Sequence, residues 1–150
     1  MRAHELASLR LGDVVDEDGE VRDEIVLSAA QTKGRKSRRI FINAKLKREL
    51  ALYVKTACQE RSPTEPFFRT QKRTAFSGNT MCQLFLNIYK ACGIKGASSH
   101  SGRRTFITNL AGKSVSVRVL AMLAGHSSIA TTQHYIEVND DQLRKAVELV

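Results

Sequence analysis

LAGHSSIATTQHY, residues 123–135, is the stretch whose reading decides the rest. Gly125 is suited to end one helix and Ser127 to cap the next, which holds His126 at the junction, where its imidazole can donate a hydrogen bond to an anion. Tyr135 then falls on the new helix, two turns in. An isolated tyrosine there is ordinarily a half-buried aromatic whose hydroxyl finds a partner; what raises Tyr135 above that is its company. In SSHSGRRTFITNLAG, residues 98–112, His100 and Arg103 stand three apart in the first turn of a helix that Ser98 or Ser99 caps, so their side chains share a face. That helix end also presents free backbone N–H groups and the positive end of the dipole, which favour a bound phosphate. Singly, a His and an Arg on a basic helix are more often solvated or structural than catalytic. Together with His126 and Tyr135 they suit a tyrosine that attacks phosphorus.

Such a nucleophile sets further requirements. A phosphodiester repels nucleophiles and gains charge in the transition state, so bidentate arginines are its natural stabilisers, and Arg103 and Arg2 fit that role. The phenol, with an ordinary pKa of about 10, must lose a proton, and the departing alkoxide must gain one. His100 and Lys33 are the candidates for this work. Lys36 matches Lys33 by chemistry, and spacing does not choose between them. The phosphotyrosine ester keeps the bond energy, so resealing needs no ATP, and no metal or other cofactor is expected.

Working outward, residues 11–15, 24–28 and 39–42 are short, apolar and separated by Asp-Gly and Lys-Gly turn signals, which predicts a small three-stranded antiparallel sheet with Lys33 and Gly34 at a hairpin tip. From Asn43, an expected N-cap, Leu46, Leu50, Tyr53, Val54 and Ala57 recur at helical spacing. Residues 61–79 hold both prolines, Pro63 and Pro66, and read as a basic surface loop carrying Arg69, Lys72 and Arg73. A helix from about Thr80 to Cys92 is expected to bury Met81, Leu84, Phe85 and Ile88 and to stop at Gly93. Further helices are expected near 116–124, 127–136 and 139–149. The fold class is therefore α+β, mostly α-helical, the sheet lying near the N-terminus against a helical bundle.

The 150 residues, 42% of them hydrophobic, suffice for one domain with a core. A net charge of +9 favours a polyanionic partner. Asp13, Asp16, Glu17, Asp18, Glu20, Asp23 and Glu24 crowd one stretch, and Lys33, Arg35, Lys36, Arg38 and Arg39 the next; such segregation implies one face meant for an anion. Cys58, Cys82 and Cys92 are odd in number and lack CxxC or His spacing, so they read as small core residues of a reducing cytoplasm, with no disulfide framework or zinc site. The charged start MRAHELASLR and the absence of any long apolar run predict a soluble intracellular protein without a membrane anchor.

RAHEL at Arg2, TKGRKSR at Lys33, HSGR at His100 and LAGHSS with Tyr135 resemble, in order, the Arg, Lys, His-x-x-Arg, His and Tyr boxes of the tyrosine recombinases, the phage integrase family. The resemblance spans essentially the whole chain and is strongest from Ser98 to Val138. It implies that Arg2 and Arg103 clamp the scissile phosphate, that His100 handles protons and His126 supports the phosphate, that Lys33 protonates the 5′ hydroxyl, and that Tyr135 becomes linked to the 3′ phosphate. Glu5 resembles a supporting acid. Arg35, Lys36, Arg38, Arg39, Arg69, Lys72, Arg73 and Arg104 are the expected DNA-facing cations. The family implies cutting and rejoining double-stranded DNA at paired specific sites, as a homotetramer on DNA whose subunits can be monomers when free, in a bacterial, phage or mobile-element setting. It also implies that a tail helix over 139–150, with Leu143, Ala146, Val147 and Val150 in register, docks on a neighbouring subunit.

Two departures stand out. Gly102 replaces a large apolar residue of the His-x-x-Arg box and is expected to loosen packing behind Arg103. The family's catalytic domain has a helix and turn before its first arginine, and a DNA-clamping domain before those; this sequence has neither, so residues 1–150 are expected to be an N-terminally truncated catalytic domain whose Arg2 lies in a segment prone to fray. Two rival readings are a DNA-binding remnant without turnover and a nicking and resealing topoisomerase, the latter disfavoured by the LAGHSS box.

Overall fold

Short apolar stretches fold here according to their spacing. The computed structural model describes residues 1–113, 115–136 and 140–148. The chain read from sequence as one domain forms two compact units, Met1–Ser99 and His100–Val150.

The first unit opens with helix α1 (Ala3–Ala7) and a single helical turn, α2 (Leu11–Val14). The latter replaces the first of the three expected strands. Leu11, Val14 and Val15 are the buried positions, a spacing of i, i+3, i+4 that belongs to a helix and not to a strand. The Asp13 carboxylate accepts from the Arg10 N–H at 2.9 Å and fixes the turn's entry. Val15 then makes only an isolated bridge with Val21, closed by the Asp16 carboxylate, which accepts from the Glu20 N–H at 2.9 Å. The sheet that remains has two antiparallel strands, β1 (Glu24–Leu27) and β2 (Arg38–Phe41). Their register sets Ile25 opposite Ile40 and Leu27 opposite Arg38.

Helix α3 (Ala44–Ala57) begins at Asn43, whose side chain accepts from the Leu46 N–H at 2.8 Å. Leu50, Tyr53 and Val54 pack on the core of Leu9, Leu11, Val14, Val21, Ile25, Leu27 and Phe67, whereas Leu46 and Ala57, expected on the same face, are exposed. The chain then runs over residues 58–77 to helix α4 (Gly78–Ala91). That loop is less open than expected: Arg61 donates to the carbonyls of Pro66 and Phe67, and Arg69 pairs with Glu65 at 2.5 Å. Helix α4 ends in a Schellman turn, with Ile94 N–H bonded to Tyr89 O and Gly93 at φ +70°. It buries Met81 against Ala3 and Ala7, but Leu84 and Ile88 are exposed. The five-residue α1 is its principal packing partner, and so short a helix covers only a narrow stripe. Of the cysteines, only Cys58 is a core residue; Cys82 is half-buried and Cys92 exposed.

The second unit is helical: α5 (Ser101–Ala111), α6 (Val117–Ala124), α7 (Ile129–Gln133) and α8 (Asp140–Val147). Helix α6 packs on both α5 and α7, burying Ile107, Ala111, Leu120, Ala121 and Ala124. At α5, His100 takes the N-cap position in place of the expected Ser98 or Ser99. Helix α7 is shorter than the span expected over 127–136, and Ser128, not Ser127, precedes it, without a side-chain cap. Two β-branched threonines, 131 and 132, weaken it as a helix. The chain leaves it by tighter turns, Tyr135 N–H to Thr132 O and Ile136 N–H to Gln133 O, both 3.0 Å. Within the expected tail helix, Leu143 and Val147 are exposed; Asn139 and Val150 lie outside the described residues, as does Val138.

Candidate active site

The end of α6 organises the second unit's functional groups. Gly125 has φ +66°, the left-handed conformation that closes a Schellman turn, with its own N–H bonded to Met122 O and the His126 N–H to Ala121 O at 2.9 Å. His126 therefore leaves the helix with its backbone fixed. Its Nδ1 lies 2.8 Å from the hydroxyl of Thr132 on α7. Its ring lies nearly parallel to that of Tyr135, centroids 6.2 Å apart and planes inclined by 29°. Tyr135 is thus set past the end of α7 and not two turns within it, yet the turn brings it to His126. Arg103, the third residue of α5, donates from its guanidinium to the carbonyl of Ala124. A cation there meets the negative end of the α6 dipole. Arg103, His126 and Tyr135 are in this way gathered at one helix terminus. His100 is exposed one turn before Arg103. Gly102, expected to loosen packing behind Arg103, is itself exposed.

In the first unit the organising residue is Glu5, whose side chain is fully enclosed. One carboxylate oxygen accepts from the Arg2 N–H at 2.6 Å and from Arg38 Nη2 at 2.7 Å; the other pairs with Arg2 Nη1 at 3.3 Å. Burial pushes this carboxyl up, but the Arg2 N–H, the Arg38 hydrogen bond and the charges of both arginines outweigh it and hold Glu5 below the ordinary carboxylate value. Arg2, expected to fray, is tied down at the N-cap of α1.

Lys33 and Lys36 are both exposed in the segment joining β1 to β2. The buried hydroxyl of Thr32 braces that segment, donating to Lys36 O at 2.8 Å and accepting from Lys36 N–H at 3.2 Å. Of the expected DNA-facing cations, Arg35, Lys36, Arg39, Lys72, Arg73 and Arg104 are exposed, Arg39 lying 3.6 Å from Glu24. Arg38 instead turns inward to Glu5, and Arg69 to Glu65. The acidic stretch is partly neutralised in the same manner, Asp23 pairing with Lys47 at 2.5 Å. Period-two alternation identifies Arg38: it shares the face of Ile40, two residues on. Thr32 and Thr132 give no such signal. Among the described residues no group of three or more His, Cys, Asp and Glu is placed to hold a metal, and no helix is long and apolar enough to cross a membrane.

A model of the phage integrase family matches residues 1–142. The chain belongs to that family. Among its relatives, a tyrosine recombinase of Pseudothermotoga lettingae is 31% identical over 98% of this chain and 48% of its own length. The tyrosine recombinase XerA of Pyrococcus furiosus is 28% identical over 99% of this chain and 49% of its own length. The chain thus spans about half the length of the curated relatives it matches. The crystal structure of a XerA recombinase superposes with a TM-score of 0.76 at 26% identity, covering 99% of this chain and 51% of that one. The Tn1549 transposon integrase, solved in complex with transposon end DNA, shares the fold with a TM-score of 0.71 at 19% identity, over 99% of this chain and 54% of its own. The family's α-rich fold with a small antiparallel sheet is the fold observed, with two strands in that sheet among the described residues.

Proposed function

We propose that this chain is the catalytic part of a site-specific tyrosine recombinase. The supporting observation is the gathering of Arg103, His126 and Tyr135 at the α6 terminus. In this reading the Tyr135 phenol oxygen attacks the phosphorus of one DNA strand, forming a 3′-phosphotyrosyl ester and breaking the bond to the 5′ oxygen. Arg2 and Arg103 neutralise the non-bridging oxygens as charge develops, and His126 donates a hydrogen bond to one of them. His100 takes the phenol proton and Lys33 gives one to the departing 5′ oxygen. Attack of a 5′ hydroxyl from a second strand reverses the step and completes strand exchange, with no energy input because the ester stores the bond.

The relatives named recombinases, and the integrase solved on DNA, support a double-stranded DNA substrate. We assign Arg35, Lys36, Arg39, Lys72, Arg73 and Arg104, all exposed, to its backbone, and α8 to contact with a neighbouring subunit in a tetramer. The direct test is a denaturant-stable protein–DNA adduct on a pooled library of nicked duplexes, with the chain alone and joined to the N-terminal half of a relative. Tyr135→Phe is expected to abolish the adduct. An adduct that survives Tyr135→Phe, or salt-sensitive binding with no adduct in either format, overturns the reading.

A further inference from the structure

We infer that Thr132 is a positioning residue for His126: its hydroxyl donates to Nδ1 and so holds the neutral imidazole with its proton on Nε2. The role of the ring proton rests on the recombinase reading; the contact itself does not.

Three observations lead there. Thr132 is a polar side chain with 0% exposure, and a buried hydroxyl is destabilising unless it has a partner. Its Oγ1 lies 2.8 Å from His126 Nδ1, a normal length for a bond between these atoms. The backbone of His126 is fixed by its N–H bond to Ala121 O, so the Thr132 hydroxyl meets a ring whose point of attachment is already set. A threonine suits this contact because its branched Cβ restricts χ1.

The direction of the bond follows from the chemistry required. A neutral imidazole carries one proton. If Nδ1 donated it to Thr132, Nε2 would present a lone pair to the non-bridging oxygens of a phosphodiester, and two acceptors repel. If the hydroxyl donates to Nδ1, the proton stays on Nε2, where the ring serves as a hydrogen-bond donor while carrying no charge. Should the ring become protonated, the hydroxyl rotates and accepts from Nδ1–H, so the same contact survives both states. A carboxylate in the place of Thr132 offers no proton to donate and lacks this versatility.

The test pairs a spectroscopic readout with a kinetic one. In 15N-resolved NMR of the chain, at a pH where the His126 ring is neutral, the parent protein is expected to show the Nε2–H tautomer. Thr132→Val, which keeps the shape and removes the hydroxyl, is expected to mix the tautomers and slow adduct formation about tenfold, the equivalent of one ordinary hydrogen bond, with DNA affinity unchanged. Thr132→Ser is expected to restore both readouts, and it guards against a Val variant that does not fold. An Nδ1–H tautomer in the parent overturns the inference outright, as does a folded Thr132→Val with unaltered tautomer and rate. Absence of an adduct in every variant would instead count against the recombinase reading, while the NMR result still decides the contact.

Discussion

Glu5 is enclosed and held by two arginines, which couples its ionisation to the stability of the first unit. Its folded-state pKa lies below the ordinary value, so ionised Glu5 contributes stability at neutral pH, and that contribution is lost as pH falls below the ordinary carboxylate range and through the folded value. Glu5→Gln is therefore expected to flatten the acid limb of stability against pH and, because two arginines lose their buried partner, to cost about 3–5 kcal/mol at neutral pH; urea midpoints at pH 7 and on the acid side measure both. Arg38→Met is expected to be destabilising and, combined with Glu5→Gln, to cost clearly less than the sum, since the two share one contact. At this scale the sequence was legible where residue types and spacing marked a cluster: Arg103, His126 and Tyr135, singled out for what a phosphodiester would need, are gathered at the α6 terminus. It was not legible where residues serve other residues. Glu5 was singled out only by family resemblance, Arg38 was grouped with surface cations although its two-residue spacing from Ile40 marks it as inward, and Thr132 looks like any threonine of a polar helix until its six-residue reach to His126 is seen.

Among elements, the α6 terminus couples backbone geometry to function most directly. A Cβ at Gly125, in the left-handed region at φ +66°, costs about 1–2 kcal/mol. Gly125→Ala is expected to lower the melting temperature by roughly 2–4 °C per kcal/mol and to slow adduct formation as well, because the His126 N–H bond belongs to the same turn. Asn43→Ala is the matched control. It removes the cap of α3 at a cost of about 1 kcal/mol and is expected to leave the adduct rate unchanged, so differential scanning calorimetry beside single-turnover cleavage separates the two effects. The cap at Asn43, and the stops at Gly93 and Gly125, were readable because each depends on one residue type in one conformation. The turn at Leu11–Val14 resembles a strand in its apolar composition, and only the spacing of Leu11, Val14 and Val15 marks it as helical; the early end of α7 has no mark in the sequence beyond its paired threonines.

The whole chain carries +9, and the exposed cations rather than the total set its response to salt. Binding to duplex DNA is expected to weaken linearly in log–log form, by about 0.9 of a unit in slope per phosphate neutralised. Combined substitution of Arg35, Lys36, Lys72 and Arg73 by Gln is expected to flatten that slope, whereas Arg69→Gln, which removes an arginine already paired with Glu65, is expected to alter stability more than slope; fluorescence anisotropy across a salt series reads both. That the family match holds over residues 1–142 while overall identity to these relatives is near 30% shows that most positions have been replaced without loss of the architecture. The β1–β2 hairpin indicates how variation is tolerated there. Its strands are aligned by Arg38 against Leu27 and Glu5, away from the turn itself, and a one-residue slip would bring Arg39 to the inner face in place of Arg38. The tip around Lys33 is held separately, by the bonds between the Thr32 hydroxyl and the Lys36 backbone, so a change in that short span moves the lysine while the strand pairing beneath it keeps its own anchors.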